Sequence, residues 1–211
     1  MKISPTLTEV KEIAKTGKYD ILPVSCEILS DFITPIEAMR ILQNVSTHCY
    51  LLESAQANEA WGRYTFLGYD PKLEINCIDG HMKLGKLSVE TENPSEYIRQ
   101  ILSEYKSPKF DYLPSFTGGL VGYFSYDYLG YKEKSIRGKA KDTEDFKDVD
   151  LMLFDKVIAF DNLCQKIILI ANMSLDAPET GYNKAIVELK QLRELLMHGE
   201  KKQNMGGKLL G

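Results

Sequence analysis

Two long apolar segments in the C-terminal half of the chain constrain the fold more than any other feature. They are DLMLFDKVIAFD, residues 150–161, and QKIILIANM, residues 165–173. Both are rich in β-branched and aromatic residues, and only a short link from Asp161 to Cys164 separates them, which is typical of strands joined by a tight turn. We therefore predict two long strands that pair as a hairpin in the core.

Two helices near the N-terminus are indicated by apolar residues at helical spacing after a capping signal. In the first, residues 6–15, Thr6 and Glu9 form a capping box and Gly17 is a stop signal. The second begins at the run TPIE, residues 34–37, which combines a cap, a proline in the first turn and an acid that reaches back to the cap. It should end near residue 45. Three of its residues are expected to be buried: Ile36, Leu42 and Val45.

Two further helices are predicted by the same kind of signal. The run NPSE, residues 93–96, begins a helix that continues through Tyr105 and that Pro108 terminates. The strongest helical pattern spans residues 178–198, where leucines recur on one face and Gly199 is the stop signal.

Short β-rich runs occupy residues 48–89: CYLLES, RYTFLG, KLEINCI and HMKLGKLSV. Asp79-Gly80, between the last two, is a hairpin turn signal. This pattern predicts a single antiparallel meander.

A glycine-rich run, FTGGLVGYFSYDY, occupies residues 116–128. It lacks the GK[ST] ending of a phosphate-binding loop, and aromatic and β-branched residues flank its glycines. The composition instead predicts a strand that approaches another backbone closely.

These elements together predict an α+β fold, with largely antiparallel β-sheets packed as a sandwich and flanking helices. The chain has 211 residues, of which 44% are hydrophobic, which is enough for one well-packed domain. We place that domain at residues 1–200. The tail, residues 201–211, has no apolar face and is predicted to be a linker.

Composition also excludes several classes of partner. The net charge is -4, from 26 basic and 30 acidic residues, whereas nucleic-acid binding needs a basic excess on one face. No apolar run approaches the ~18 residues of a membrane span, and charged residues interrupt the N-terminus where a signal peptide would be apolar. We therefore predict a cytoplasmic protein that binds neither nucleic acid nor a membrane.

The cysteines give no sign of a metal site or a disulfide. There is no CxxC pair, and no histidine lies at ligand spacing from any cysteine. Each is expected to be a small buried residue. The four are Cys26, Cys49, Cys77 and Cys164.

A candidate ligand site follows the apolar run CYLL. Glu53 and Ser54 come directly after this predicted strand, where a carboxylate and a hydroxyl can bind an ammonium group. Arg63 begins the next predicted strand, and in a hairpin its guanidinium would return to the same end of the sheet and could hold a carboxylate. The plainer interpretation is that each is a solvated residue at a strand end. From these residues alone, both interpretations stay open.

Four motifs stand in order along most of the chain: LLES at residues 51–54, GRYTFLG at 62–68, FTGGLVGYxxYD at 116–127, and the predicted hairpin that begins at Asp150. Together they resemble the N-terminal region of anthranilate synthase component I, of the chorismate-utilising enzyme family. LLES is the most informative motif, whereas the glycine motif is shared with relatives of that family.

The resemblance implies a regulatory pocket for L-tryptophan, the end product of the pathway. By position, Leu52, Glu53 and Ser54 would contact tryptophan, with Glu53 and Ser54 near its amino group. Arg63 would belong to the same pocket, near a position where some members have lysine. In the family, residues of a C-terminal domain complete this pocket.

The resemblance also implies the activity of a parent protein. It would convert chorismate and glutamine or ammonia into anthranilate and pyruvate, and a glutamine amidotransferase component II would deliver the ammonia. Chorismate and magnesium would bind in a C-terminal domain towards which residues 201–211 lead, and magnesium would neutralise the chorismate carboxylate. The catalytic residues would then lie outside this chain, which alone would be inactive and need no cofactor.

Two alternatives are kept open. Component I of aminodeoxychorismate synthase has a similar N-terminal region, which can hold a tryptophan with a structural purpose, and a product assay would distinguish it. A stand-alone tryptophan-binding module without catalysis would instead be encoded by a gene that ends near Gly211.

Overall fold

A computed structural model of the chain describes residues 1–53, 62–133 and 146–202, and over these residues the fold is α+β. The helices are α1 Leu7–Lys15, α2 Pro35–Val45, α3 Pro94–Ser103 and α4 Pro178–His198, and a 3-10 helix spans Tyr126–Tyr131. The strands are β1 Ile3–Ser4, β2 Ile21–Leu29, β3 Cys49–Leu52, β4 Tyr64–Tyr69, β5 Leu73–Ile78, β6 His81–Leu84, β7 Leu87–Glu90, β8 Gly119–Phe124, β9 Val149–Phe154, β10 Lys156–Asp161 and β11 Lys166–Ser174.

The strands form two antiparallel sheets, which confirms the predicted fold class. One sheet has the order β1-β2-β11-β10-β4-β3 and the other the order β7-β6-β5-β9-β8. Helices α1, α2 and α4 cover one face of the six-stranded sheet and enclose the main core, while α3 packs on the five-stranded sheet. On the other face of the six-stranded sheet, Leu113 and Phe116 cover apolar residues of β10 and β11.

The predicted C-terminal hairpin is confirmed as β10 and β11, paired from Lys156 with Ala171 to Asp161 with Lys166. The first segment, however, is two strands and not one. It breaks at Asp155, whose carbonyl accepts hydrogen bonds from the backbone and side-chain nitrogens of Asn172 (2.8 and 3.0 Å). Asp155 thus already bonds to β11 of the six-stranded sheet, whereas the preceding residue, Phe154, pairs with Gly119 of β8 in the five-stranded sheet. The chain therefore passes from one sheet to the other at this point.

The predicted meander is likewise divided between the sheets. β3 and β4 pair in the six-stranded sheet, whereas β5, β6 and β7 belong to the other. The break is at Asp70, which has a left-handed φ of 52° and precedes Pro71, so neither residue continues a strand. The Asp79-Gly80 turn is confirmed, with φ of 49° and 83° as a two-residue hairpin turn requires.

Strand β2 was not predicted, and its Pro23 argues against a central strand. It nevertheless pairs with β11 from Ile21 to Leu29. Pro23 lies opposite Asn172, whose backbone N–H points away from β2 to the carbonyl of Asp155 (2.8 Å). Because that pair is therefore a non-hydrogen-bonded one, no N–H of Pro23 is needed by β11.

Both predicted capping boxes are present, at Thr6 with Glu9 and at Thr34 with Glu37. The predicted buried face of α2 is wrong in part. Ile36 and Val45 are more than half exposed, and the buried residues are Ala38, Ile41 and Leu42. Ile36 lies six positions before Leu42, so at 3.6 residues per turn it faces away from the core, and Val45 is the last residue of the helix.

The glycine-rich strand β8 approaches its neighbours as closely as its composition predicts. A β-carbon on Gly122 would lie 2.0 Å from the carbonyl oxygen of Asp150, and one on Gly118 would lie 2.6 Å from the side-chain nitrogen of Asn172. Close packing of backbone, and not phosphate binding, therefore accounts for these two glycines.

None of the four cysteines forms a disulfide; Cys26 and Cys77 are buried as expected, and Cys49 is only partly buried. Cys164 is exposed, contrary to the expectation, because it lies in the turn between β10 and β11. Most of the predicted linker, residues 203–211, lies outside the described residues. Among the helices that are described, none is long and apolar enough to cross a membrane.

Candidate functional site

The structure brings three of the four predicted site residues to one end of the six-stranded sheet. Leu52, the last residue of β3, pairs with Phe66 of β4, and Glu53 follows it as an exposed residue. Arg63 immediately precedes β4 and so lies at the same end. The hairpin on which the site hypothesis depends is therefore confirmed. Ser54 lies outside the described residues.

An apolar surface lies beside Leu52. The rings of Tyr64, Phe66 and Phe116 form a row on the sheet face opposite the helices, with centroids 5.8 Å apart for the first pair and 5.5 Å for the second. Leu52 shares this face because it is directly paired with Phe66, and its side chain is 46% exposed. The aromatic row and Leu52 together offer a partly open surface for a flat apolar group.

Arg63 is held by a buried acid that the sequence analysis did not identify. Its Nε donates to Oδ1 of Asp161 at 3.1 Å, and its Nη2 donates to Oδ2 at 2.7 Å. The side chain of Asp161 is completely buried, whereas that of Arg63 is 37% exposed. The guanidinium also lies 4.9 Å from the centroid of the Tyr64 ring, within cation–π distance.

Asp161 is further tied to the turn that joins β10 to β11. Its Oδ1 accepts the backbone N–H groups of Leu163 (3.2 Å) and Cys164 (3.0 Å), and the N–H of Asn162 donates to the carbonyl of Arg63 (2.9 Å). The only sequence signal that Asp161 forms an ion pair is its position as an acid at the end of an apolar strand. Its partner, Arg63, could not be identified without the strand register, which sets Asp161 opposite Tyr64.

The charges of this pair stabilise one another. Burial of the Asp161 carboxyl acts to raise its pKa, but the hydrogen bonds from Arg63 and from the N–H of Cys164 outweigh burial, and the net pKa is lowered. The hydrogen bond with Asp161 raises the pKa of Arg63. Both groups are therefore ionised at neutral pH. Nη2 of Arg63 also donates a weak hydrogen bond to Sγ of Cys164 at 3.7 Å, whereas Nη1 makes no hydrogen bond within the described residues. The side of the guanidinium that carries Nη1 is therefore the edge available to a ligand.

The resemblance places magnesium in a C-terminal domain and not among the residues of this chain. In the part of the chain that the structure describes, no group of three or more His, Cys, Asp or Glu side chains could hold a metal ion. The side chains at this end of the sheet suit a zwitterionic organic ligand, because they comprise the carboxylate of Glu53, the cation of Arg63 and the apolar surface beside Leu52.

Comparison with known proteins shows a consistent set of relatives, although no family model matches the chain. It is 34% identical over 198 residues to an anthranilate synthase component 1 from Acetivibrio thermocellus, covering 91% of this chain and 39% of that protein. It is 36% identical over 196 residues to the Pseudomonas aeruginosa protein of the same name, with 89% and 39% covered.

One solved structure agrees with these relatives. Anthranilate synthase component I from Streptococcus pneumoniae TIGR4 superposes with a TM-score of 0.50 at 25% identity, over 79% of this chain and 36% of that one. The chain thus spans about 39% of the length of the curated relatives that it matches.

Proposed function

We propose, on the premise that the chain is a homologue of the N-terminal part of anthranilate synthase component I, that it forms the tryptophan-binding regulatory part of such an enzyme. The observation that carries the proposal is the extent of the similarity, which covers nine-tenths of this chain at about one-third identity. The complete protein would make anthranilate and pyruvate from chorismate and glutamine or ammonia in tryptophan biosynthesis.

The described side chains support tryptophan as the ligand by their chemistry. The carboxylate of Glu53 would bind the ammonium group, and the available edge of Arg63 would bind the carboxylate, since both are charge-assisted contacts. The indole would lie against Leu52 and the aromatic row. By the resemblance, Ser54 would add a hydroxyl near the ammonium group.

Regulation would follow from differential affinity. Tryptophan can inhibit only if it binds more tightly to a domain arrangement that is poor at chorismate chemistry, because an effector shifts an equilibrium by no more than that difference. The C-terminal domain would complete the pocket and would hold chorismate and magnesium. A glutamine amidotransferase component II would supply ammonia to it, in the cytoplasm.

Calorimetric titration tests the binding function. L-tryptophan is titrated into the 211-residue chain and into the product of the complete reading frame, with L-phenylalanine as the control. Selective binding of tryptophan is expected, with the longer chain binding more tightly if further residues complete the pocket. Absence of tryptophan binding in both proteins would overturn the regulatory proposal.

A product assay tests the enzymatic part. The complete protein is supplied with chorismate, Mg²⁺ and ammonium, and anthranilate is followed by its fluorescence together with pyruvate. We expect both products in equal amounts and inhibition by tryptophan. Formation of aminodeoxychorismate without release of pyruvate would identify component I of aminodeoxychorismate synthase. If no product were formed, a binding module without catalysis would be favoured.

A further inference from the structure

We propose that Asp161 is a positioning residue for the tryptophan site, which holds the guanidinium of Arg63 so that its free edge meets the ligand carboxylate. This inference rests on the proposed function, because it concerns the same site. Asp161 itself would not touch the ligand, since its side chain is fully buried.

The geometry fixes the guanidinium in two directions. The two parallel hydrogen bonds from Nε and Nη2 to the Asp161 carboxylate set the rotation of the Arg63 head group within its plane. The ring of Tyr64, whose centroid lies 4.9 Å from Cζ, packs against the guanidinium from a second side. A long and otherwise flexible side chain is thereby held in one orientation before any ligand arrives.

The anchor for this arrangement is rigid. Asp161 is the last residue of β10, which pairs with both β4 and β11, and its carboxylate also accepts two backbone N–H groups of the following turn. Because Asp161 is fixed by the backbone, the orientation that it imposes on Arg63 is fixed relative to the sheet. That sheet also carries Leu52.

The remaining donors of Arg63 face a different environment. Nε donates to Asp161, and Nη2 donates to Asp161 and, weakly, to Sγ of Cys164 at 3.7 Å. Nη1 makes no hydrogen bond among the described residues, and the side chain is 37% exposed. Preorganisation of this edge would improve carboxylate binding, because the ordering of the arginine is complete before association.

The test compares two ligands that differ only in the carboxylate. L-tryptophan and tryptamine share the indole and the ammonium group, and tryptamine lacks the carboxylate. Their affinities are measured by calorimetry for the wild-type protein and for Asp161→Asn, both as the 211-residue chain and as the product of the complete reading frame. We expect the variant to lose about tenfold or more in affinity for L-tryptophan. Its affinity for tryptamine should change less than about twofold, within the usual effect of a distant substitution.

Two further variants make the test specific. Arg63→Lys keeps the charge but cannot form the two parallel bonds, so it should lose the same discrimination between the ligands even if Asp161→Asn fails to fold. Asp70→Asn is the matched control, since it removes the acid of the ion pair with Lys156 at the opposite end of β4 and should leave both affinities unchanged.

The outcomes separate this inference from the proposed function. If wild-type protein binds no tryptophan, the proposed function fails. If it binds tryptophan and Asp161→Asn weakens both ligands equally, or neither, Asp161 has only a structural role and the inference is overturned. The inference would also be overturned if Arg63→Lys preferred L-tryptophan over tryptamine as strongly as the wild-type protein does.

Discussion

The ring of Tyr50 on β3 occupies the space that a side chain on Gly68 of β4 would need. The two residues are directly paired, and a β-carbon on Gly68 would lie 2.2 Å from a carbon of that ring. The ring is held in place by edge-on contacts with Phe154 (centroids 4.7 Å apart) and Phe116 (6.4 Å). Glycine at position 68 is therefore explained by a neighbouring side chain and not by an unusual backbone conformation.

Gly68→Ala should lower the free energy of unfolding by about 2 kcal/mol, as expected for overpacking of a filled site. Urea unfolding followed by circular dichroism measures the change. In a Tyr50→Ala background the same substitution should cost less than about 1 kcal/mol, because the ring is gone and the two effects are coupled. An equal loss in both backgrounds would contradict the explanation.

Tyr50→Phe should leave stability unchanged or raise it by about 1 kcal/mol, since the hydroxyl is buried and has no hydrogen-bond partner among the described residues. Tyr182→Phe is the matched control. Its buried hydroxyl donates to the carbonyl of Pro5 at 3.0 Å, and its loss should cost about 1 kcal/mol. Thermal unfolding measures the change in stability of both variants. A clear loss of stability in Tyr50→Phe would show that the Tyr50 hydroxyl has a hydrogen-bond partner.

Arg63→Met should destabilise the chain by about 2 kcal/mol at neutral pH, because it leaves a buried carboxylate without its cation while two backbone donors remain. The pKa of Asp161 is lowered in the folded protein, so its contribution is complete above the unfolded value of about 3.9. It is lost as pH falls through the lower folded pKa.

Loss of Arg63 removes the main contact that offsets burial, so the pKa of the Asp161 carboxyl should be higher in the variant than in wild type. The difference in unfolding free energy between wild type and Arg63→Met should thus be largest near pH 8 and shrink as the pH falls through the pKa of the variant to about 4. Urea unfolding across this range measures it. Lys156→Met, which removes the cation of the more exposed Asp70 pair, should cost less than about 1 kcal/mol and serves as the control. A difference that grows in acid would contradict the assignment of charge to Asp161.

Thr34→Ala should cost about 1 kcal/mol, because the Thr34 side chain accepts the N–H of Glu37 at the start of α2. Thr34→Ser keeps this bond and should be close to wild type. The Asn93 side chain, before α3, bonds the side chains of Ser95 (2.6 Å) and Glu96 (2.7 Å) but caps no backbone N–H of the helix. Asn93→Ala should therefore cost less than Thr34→Ala, since no helix donor loses its partner. Chemical unfolding of the three variants ranks their stabilities. Equal losses of stability in Thr34→Ala and Asn93→Ala would contradict the structure.

Glu53→Gln in the complete protein should raise the tryptophan concentration for half inhibition about tenfold or more, since it removes the charge that would bind the ammonium group. The rate without tryptophan should not change, because the catalytic residues would lie elsewhere. Glu90→Gln, an exposed acid on β7 of the other sheet, is the control. Unchanged inhibition by tryptophan in Glu53→Gln would remove Glu53 from the site.

Local signals in the sequence were sufficient for many elements of the fold. The capping boxes at Thr6 and Thr34, the turn at Asp79-Gly80 and the hairpin of β10 and β11 depend on interactions between residues close in the chain. Their geometry follows from side-chain chemistry and spacing alone. Leu52, Glu53 and Arg63 likewise come to one end of the sheet because two strands that are neighbours in the sequence, β3 and β4, pair with each other.

Tertiary structure decided what local chemistry leaves open. The apolar run from residue 150 has no signal that its two halves enter different sheets, because the halves differ only in the strands with which they pair. Those strands are β5 and β8 for the first half, and β4 and β11 for the second. Likewise, nothing near Arg63 in the sequence indicates its partner, Asp161, which lies 98 positions away. Sheet registers and buried ion pairs depend on which distant surfaces meet, and only the packed fold brings those surfaces together.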